Sequence, residues 1–519
     1  MNKNIYELIK YLIIELELNT YSVSSFTRQY VETIIEATSD MDVVGKNEIA
    51  VLFSELSKEK FGILSVYLAS AINYLKNDED SVLNILNCTY DNREYLGVDS
   101  VYNIWQQVNS RVFVSPECDT EKTFSARVKL YKWVMDQYEC KMSDLIKNLK
   151  NARGKEGFVV VLTDQQIDYQ HGPSKSSVDR CKTLIKSGKR VLLINTAELL
   201  SPVGQVPFVG CQVGNYKDEL LEADHLDWKG VSIPFFQCER NMPNPRTMIE
   251  LLTTIGRLSP EYVVAIGGSG ILTGLVSKIF PTLCVGMCPS MLSISECRFQ
   301  TFSGCHDEVL KSRLKILGLN DNSVIDSFFV SSLKPQTQKH TRAELGIAED
   351  VFLIAIIGGR LNSEISNSFI DVLIAIKERN PNVEYLIMGE YSPNEIINRQ
   401  IGNCFHVLGM VEDVLSFLEL CDLYINPIRR GGGTSSVEAM SKGVPVVTTP
   451  YGDVSVNTGE KFWVEGYDCY PDAVYKYRND INYYKFQSET AVVRSKRLLD
   501  SEVEFIKTIM KFEERIGLV

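Results

Sequence analysis

The sequence predicts an α/β protein in which two doubly wound sheets follow an all-helical region. Residues 1 to 152 carry apolar residues at helical spacing almost throughout. At residues 158–163 this pattern gives way to a continuous apolar run, which is typical of a parallel strand buried on both faces. Further strands then alternate with helices in two successive blocks, and this rhythm indicates two doubly wound sheets.

Composition and charge exclude several classes of protein. A chain of 519 residues with 45% hydrophobic residues is long enough for about three domains. The formal net charge of −12 supplies no global basic field, so nucleic acid is not expected as a partner. No apolar run reaches the roughly 18 residues of a membrane span, and the N-terminus is amphipathic instead of signal-like, so we expect a cytoplasmic protein.

The 13 cysteines and five histidines are scattered, and no Cys-x-x-Cys pair occurs. Zinc sites usually contain such pairs. We therefore expect reduced thiols and no metal site.

The helical region, residues 1–152, is predicted to be an accessory domain for docking or recognition that can support an oligomer. Its apolar rows alternate with charged faces, as in a packed helical bundle. Its sequence shows no cluster of titratable residues that would indicate a catalytic site. The periodicity predicts helices over residues 5–12, 28–37, 49–75 and 123–149.

The first sheet is predicted within residues 153–335. Its strands are expected at residues 158–163, 190–194 and 262–266, with a helix near residues 179–186 and a glycine turn at Gly267–Gly270. A polar linker near residues 331–339 ends this domain.

The second sheet is predicted within residues 336–495. The terminal segment, residues 496–519, is expected to lie in a charged helix that starts near Arg494, at the end of this domain. Strands are expected at residues 352–357, 384–389, 422–425 and 444–450.

The most informative segment lies between the last two of these strands. Gly431–Gly433 lets the backbone approach a ligand closely, and Thr434 or Ser435 is expected to cap the helix that follows. The free N–H groups and dipole of a helix start favour phosphate. Glu438 follows one helical turn later. The segment therefore predicts a site for a phosphorylated ligand.

This segment resembles the second Rossmann-like half of GT-B glycosyltransferases, whose signature is a Gly/Ser loop, then Glu-Ala, then Gly-x-Pro-Val-Val. The order and spacing match from Gly431 to Val447. The resemblance implies a GT-B fold with two Rossmann-like domains and a terminal helix that crosses back to the first half. It covers about two thirds of the chain.

The resemblance also implies site residues. Gly358–Leu361 is similar to the Gly-Arg-Leu of many nucleotide-sugar transferases, and Arg360 is expected to contact the donor diphosphate as a catalytic residue. Glu438 is expected to accept hydrogen bonds from ribose hydroxyls, and the backbone near Gly409 and Val411 to hold the nucleobase. The predicted donor-binding residues are Gly359, Arg360, Asn362, Gly409, Val411, Gly432, Gly433, Thr434, Ser435, Ser436 and Glu438.

A general base is expected on the loop that follows the first strand of the first sheet. His171 is the leading candidate, because an imidazole titrates near neutrality and can take the proton of an acceptor. Asp164 and Asp168 on the same loop are alternatives.

Two departures from the family-4 retaining pattern stand out. The lysine expected shortly after Arg360 is missing, and Arg430 stands where a first glutamate is usual, eight positions before Glu438. Arg429 or Arg430 is a candidate to neutralise donor phosphate instead. A helical domain that precedes the two GT-B halves is similar to the arrangement in bacterial family-41-type protein glucosyltransferases. The glycine loop before Glu438, in contrast, is closer to that of family-4 enzymes of surface-glycan assembly.

The predicted function is transfer of a hexose from a nucleotide diphosphate-sugar to a protein or surface-glycan acceptor in a bacterium. The helical domain, residues 1–152, is expected to recognise this acceptor. We expect a UDP-sugar donor and no cofactor or metal ion. Two alternatives stay open: a non-catalytic GT-B partner subunit of a transferase, and a nucleotide-sugar 2-epimerase, which would turn over without an acceptor.

Overall fold

The computed structural model describes residues 3–38, 41–150, 154–169, 171–199, 206–327 and 332–518. The chain forms two compact units. The first unit comprises residues 1–287, 292–300 and 306–324, and the second comprises residues 288–291, 301–305 and 325–519. The predicted domain boundary at residues 152–153 and the start of the predicted linker at residue 331 lie outside the described residues.

The first unit begins with helices, as apolar periodicity predicts, and these include helices between residues 79 and 114, for which no bounds were predicted. Their bounds are α1 Lys3–Leu18, α2 Ser25–Ala37, α3 Val43–Ser57, α4 Gly62–Lys76, α5 Glu79–Asp91, α6 Arg93–Leu96, α7 Val98–Val114 and α8 Glu121–Leu149. The helical pattern predicted over residues 49–75 is divided between two separate helices, α3 and α4. Phe61 is extended and donates its N–H to the Thr20 carbonyl, and Gly62 adopts a φ of +63°.

Within the described residues, the first sheet has eight strands in the order β3-β4-β2-β1-β5-β6-β7-β8. Strand β3 is antiparallel to β4, whereas the β2–β4, β1–β2, β1–β5, β5–β6 and β6–β7 pairs are parallel. The bounds are β1 Lys155–Thr163, β2 Arg190–Asn195, β3 His225–Trp228, β4 Val231–Gln237, β5 Pro260–Ile266, β6 Thr282–Val285, β7 Phe299–Phe302 and β8 Val324–Asp326. The helices are α9 Gly172–Lys186, α10 Pro245–Leu258, α11 Ile271–Ser277 and α12 Glu308–Leu317.

The helical region and the first sheet share one compact unit. Helix α8 packs against α10, α11 and α12. From α7, Gln107 exchanges hydrogen bonds of 2.6 and 2.8 Å with the backbone of Gln212, and Arg111 donates to the Val209 carbonyl. Val209 also lies in the apolar core of α1 to α4. The helices therefore cover part of the sheet domain.

The second sheet has five parallel strands in the order β11-β10-β9-β12-β13. Apolar clusters bury both of its faces, which explains the continuous apolar strands of the sequence. The strands are β9 Phe352–Ile357, β10 Val383–Met388, β11 Phe405–Gly409, β12 Leu423–Ile425 and β13 Val446–Val447.

Helices surround this sheet and complete the second unit. They are α13 Leu361–Glu364, α14 Asn367–Arg379, α15 Glu395–Gln400, α16 Val414–Leu418, α17 Gly433–Ser441, α18 Gly452–Thr458, α19 Tyr470–Asn479, α20 Ile481–Leu499 and α21 Ser501–Arg515. The one terminal helix predicted from Arg494 is wrong, because Asp500 separates α20 from α21. No helix in the described ranges is long and apolar enough to cross a membrane.

Candidate functional site

The second sheet brings together the two loops that the sequence singles out. The strand order turns back between β9 and β12, which are direct neighbours paired at Tyr424 and Ala355. Ligands of open α/β sheets bind at the carboxyl ends of strands beside such a reversal. The loop after β9 holds Arg360, and the loop after β12 leads to the glycine run and α17. Both loops therefore start at the expected ligand-binding edge.

Arg429 ties these loops together inside the protein. Its side chain is only 3% exposed. Its guanidinium donates to Asn426 Oδ1 at 2.8 Å, to the Tyr424 hydroxyl at 2.8 Å, and to the Ile357 carbonyl at 2.7 Å. A fourth bond of 2.6 Å runs from Nη1 to Glu364 Oε2. All three guanidinium nitrogens thus have protein partners, and Arg429 is a structural residue of the loops.

Two glycines make room for this buried arginine. A Cβ on Gly358 would lie 2.3 Å from Arg429 Nη1, and one on Gly432 would lie 2.5 Å from Nη2. Gly432 also has a φ of +88°, a conformation that side chains disfavour. Gly358 and Gly432 are therefore required by the packing of Arg429, whether or not a ligand also approaches their backbone.

Arg430 is also buried, at 2% exposure, and its Nε donates to the Tyr451 hydroxyl at 3.0 Å. Its carbonyl accepts the N–H of Asp453. Arg360 differs from both, because its side chain is 46% exposed while its Nη2 donates to Glu364 Oε1 at 2.8 Å. Of the three arginines in these two loops, Arg360 has the most exposed cation.

Helix α17 begins directly at the glycine loop. Its N-cap is Gly432, and no side chain caps it, so the predicted capping role of Thr434 or Ser435 is wrong. Both residues lie in the first turn and are half-buried. Glu438 lies one turn later and is also half-buried. The Ser436 hydroxyl is buried and donates to the Gly433 carbonyl at 2.7 Å. A helix start without a side-chain cap presents backbone N–H groups suited to an anion.

The predicted nucleobase loop follows β11. The Gly409 carbonyl accepts the N–H of Gly389 at 2.8 Å, and Val411 is half-buried beside it. Asn362 is exposed and its Oδ1 accepts the N–H of Ser392 at 2.9 Å, whereas Gly359 is exposed with open space where a Cβ would lie. These residues lie on loops that follow β9, β10 and β11.

Asp453 is a buried acid next to the glycine loop that sequence reasoning missed. Its Oδ1 accepts the Ser290 hydroxyl at 2.8 Å. Burial raises the pKa of Asp453 to about 7, against the opposing effect of hydrogen bonds from Ser290 and Cys288. The sequence offers no local signal, because Ser290 lies 163 positions away along the chain.

The first unit holds a pair of carboxyl groups where β1, β2 and β5 end. Asp164 Oδ1 and Glu198 Oε2 lie 2.6 and 2.2 Å from the point that a Gly270 Cβ would occupy. The Thr196 hydroxyl donates to Glu198 at 3.3 Å and also bonds Asp164. Burial raises the pKa of Asp164 to about 7, and burial together with Asp164 raises that of Glu198 to about 8. This pair retains a proton near neutral pH.

His171 precedes α9, which starts earlier than predicted, at Gly172. Its Nδ1 lies 2.8 Å from the Ser174 hydroxyl, and its backbone N–H donates to Asp168 Oδ1 at 3.0 Å. Burial lowers the pKa of His171, while the nearby Asp168 charge partly opposes this effect. The imidazole is therefore neutral at pH 7, which is the form that a general base needs. Gln170, next to it, lies outside the described residues.

The comparisons with known proteins agree with this geometry. Residues 353–476 match the family described as glycosyl transferases group 1. A glycosyltransferase from Rickettsia africae superposes with a TM-score of 0.50 at 14% identity, over 70% of this chain and 99% of that one. The chain has the GT-B glycosyltransferase fold.

Two other solved structures resemble this GT-B chain. A Thermobaculum terrenum O-GlcNAc transferase mutant has a TM-score of 0.49 at 11% identity and full coverage of both chains. The Anabaena protein HepE in complex with UDP has a TM-score of 0.48 at 13% identity, over 70% of this chain and all of its own. No curated protein matches the sequence significantly.

Within this GT-B chain, the described residues contain no group of three or more His, Cys, Asp or Glu that could hold a metal ion. None of the 13 cysteines, all of which lie in the described ranges, forms a disulfide. Sequence reasoning found both loops of the second unit but missed Glu364 and Glu198. Glu364 lies three residues after the Gly-Arg-Leu segment and gave a usable signal, a carboxylate four residues after Arg360. Glu198 gave none, because only strand order brings it to Asp164.

Proposed function

We propose that this chain transfers a sugar from a nucleotide diphosphate-sugar to a protein or surface-glycan acceptor. The observation that carries the proposal is the convergence of Arg360 and the start of α17 at the ends of the adjacent strands β9 and β12. A half-exposed guanidinium and backbone N–H groups at a helix start both favour a diphosphate. The group 1 match over residues 353–476 supports the same assignment.

The chemistry follows from charge. A leaving nucleoside diphosphate gains negative charge as the sugar–phosphate bond breaks, and Arg360 together with the α17 dipole stabilises it. These groups make a metal ion unnecessary in the proposal. His171 takes the proton from the acceptor as the new bond forms, in its neutral state. We propose UDP as the nucleotide, a hexose as the sugar and the cytoplasm as the compartment.

The test begins with thermal unfolding of the purified chain in the presence of UDP, GDP, ADP, CMP or dTDP. A ligand that binds the folded state raises the unfolding temperature by mass action. We expect UDP to give the largest rise. Sugar release from the corresponding nucleotide-sugars is then measured with and without candidate acceptors.

Arg360→Ala is the decisive variant, because it removes the charge-assisted phosphate contact. We expect it to weaken UDP binding by tenfold or more. Arg379→Ala is the matched control, since Arg379 is 50% exposed in the same unit and pairs with Asp472 on the surface. Equal UDP affinity in both variants would remove Arg360 from the site.

The remaining outcomes distinguish the alternatives. Nucleotide binding without any turnover would favour a non-catalytic partner subunit. Acceptor-independent conversion of the sugar at C2 would favour an epimerase. Absence of binding to all five nucleotides would contradict the proposal.

A further inference from the structure

Glu364 occupies a position between the two loops of the second unit. It ends the short helix α13 and is 7% exposed. Each of its carboxylate oxygens accepts from a different arginine: Oε1 from Arg360 Nη2 at 2.8 Å, and Oε2 from Arg429 Nη1 at 2.6 Å. One buried carboxylate thereby joins an exposed cation to a buried one.

The bridge continues beyond Arg429. That guanidinium also binds the Ile357 carbonyl at the end of β9 and Asn426 at the end of β12. The guanidinium also occupies the space beside Gly432, the N-cap of α17, where a Cβ on Gly432 would lie 2.5 Å from Arg429 Nη2. Charge-assisted bonds therefore run from Arg360, through Glu364, to Arg429, and the Arg429 guanidinium packs beside Gly432 at the N-cap of α17.

We propose that Glu364 is a positioning residue for the diphosphate of the donor. It holds the Arg360 side chain in one orientation and fixes that orientation relative to the glycine loop. The inference rests on the proposed function, since it assigns a role in binding the same diphosphate.

The physical reason is preorganisation. A half-exposed arginine is free to adopt many rotamers, and ordering it upon binding costs free energy. The Glu364 carboxylate orders it beforehand. Charge balance agrees, because one carboxylate between two guanidiniums leaves a net positive charge at the loop edge, and an anion complements that charge.

Glu364→Gln tests this idea with almost no change in shape. A glutamine side chain has only one acceptor oxygen, and its amide nitrogen is a donor. It can therefore satisfy one arginine but not both. The buried Arg429 has the greater need of an acceptor, because an unpaired buried charge is costly. We expect the bond between Arg360 and residue 364 to be lost and UDP affinity to fall about tenfold.

The experiment is a double-mutant cycle on the full chain, with UDP affinity measured by titration calorimetry for wild type, Glu364→Gln, Arg360→Ala and the double variant. If Glu364 acts through Arg360, the Glu364 substitution has little further effect once Arg360 is gone. Uridine serves as the phosphate-free probe, and its affinity should be the same in all four proteins.

Glu504→Gln is the matched control. Glu504 is also a 7% exposed glutamate of the second unit that holds two basic side chains, Arg497 and Lys507. We expect its substitution to lower the unfolding temperature without changing UDP affinity. Glu364→Asp provides a second variant if the glutamine variant does not fold, because it keeps the charge that Arg429 requires. It should weaken UDP binding less than Glu364→Gln, again only when Arg360 is present.

Additive losses in the cycle, or an equal loss of uridine and UDP affinity, would overturn the role of Glu364 while leaving the proposed function intact. Absence of UDP binding to the wild-type protein would overturn both.

Discussion

The burial of single residues separates the side chains that can contact a ligand from those that stabilise the fold. Arg429 and Arg360 are both arginines in signature loops, yet one is 3% exposed and the other 46%. Sequence alone left Arg429 and Arg430 open as phosphate ligands, because a pattern of residue types carries no information on burial. The structure gives Arg429 four partners within the protein.

The first residue-scale prediction concerns the general base. We expect His171→Ala to reduce sugar transfer by about a hundredfold to ten-thousandfold, while UDP affinity changes little, because general-base removal acts on the chemical step. Near-normal transfer would exclude His171 as the base.

Asp164→Asn and the pH profile complete that test. Burial lowers the pKa of His171 below its usual 6.5, so a histidine base predicts that kcat/KM falls only when the pH drops below this value. Asp164 has a pKa of about 7, so a limb near pH 7 that disappears in Asp164→Asn would assign the role to Asp164 instead.

A second residue-scale prediction follows from Glu198. Its pKa is about 8 in the folded protein against 4.5 normally, because burial and Asp164 disfavour its charge. The folded state therefore retains a proton that the unfolded chain has lost, and stability falls as pH rises from about 5 through 8.

Glu198→Gln should consequently raise the unfolding temperature at pH 8.5, by about 1–2 °C for each kcal/mol relieved, and give no such gain at pH 5. Thermal unfolding across this pH range measures it, with the exposed Glu222→Gln as control. A gain that is independent of pH would contradict the assigned pKa.

Elements were predictable where local pattern and final environment coincide. The strands β1, β9 and β10 were found within a few residues, because burial on both faces leaves a continuous apolar run. Helix ends were less predictable: the break before α4 depends on Phe61 bonding Thr20, 41 positions away in sequence. The carboxyl pair depends on strand order, which places Glu198 beside Asp164 without any local motif.

The element-scale prediction concerns the glycine loop before α17. Gly432→Ala places a Cβ 2.5 Å from the Arg429 guanidinium and strains a residue with a φ of +88°. Since Arg429 is held by four bonds, the loop must shift, and we expect lower stability together with at least tenfold weaker UDP binding.

Gly359→Ala is the matched control for stability, because no heavy atom lies within 4 Å of the Cβ it would add. Its unfolding temperature should equal that of wild type. Any loss of UDP affinity in that variant then reports contact with the ligand, not damage to the fold. An unchanged unfolding temperature in Gly432→Ala would contradict the packing argument.

At the scale of the whole molecule, the helical region predicted as an accessory domain is built into the first unit. Helix α8 packs against three helices of the sheet domain, and a Gly274 Cβ on α11 would lie only 2.5 Å from Met135 on α8. The sequence predicted the helical character but could not show this contact, because apolar rows on a helix do not identify the surface that they cover.

The last prediction is that a chain beginning at residue 154 does not fold stably. Removing α8 would expose the apolar residues that α10 and α11 bury against it, including the surface around Gly256, whose Cβ would lie 2.4 Å from Leu149. Exposed apolar surface of this kind favours aggregation. Soluble yield and hydrogen exchange of β1 and β5, compared with the full chain, measure the effect. A soluble, truncated protein with native protection of both strands would show that the helical region is an independent domain, as the sequence alone predicts.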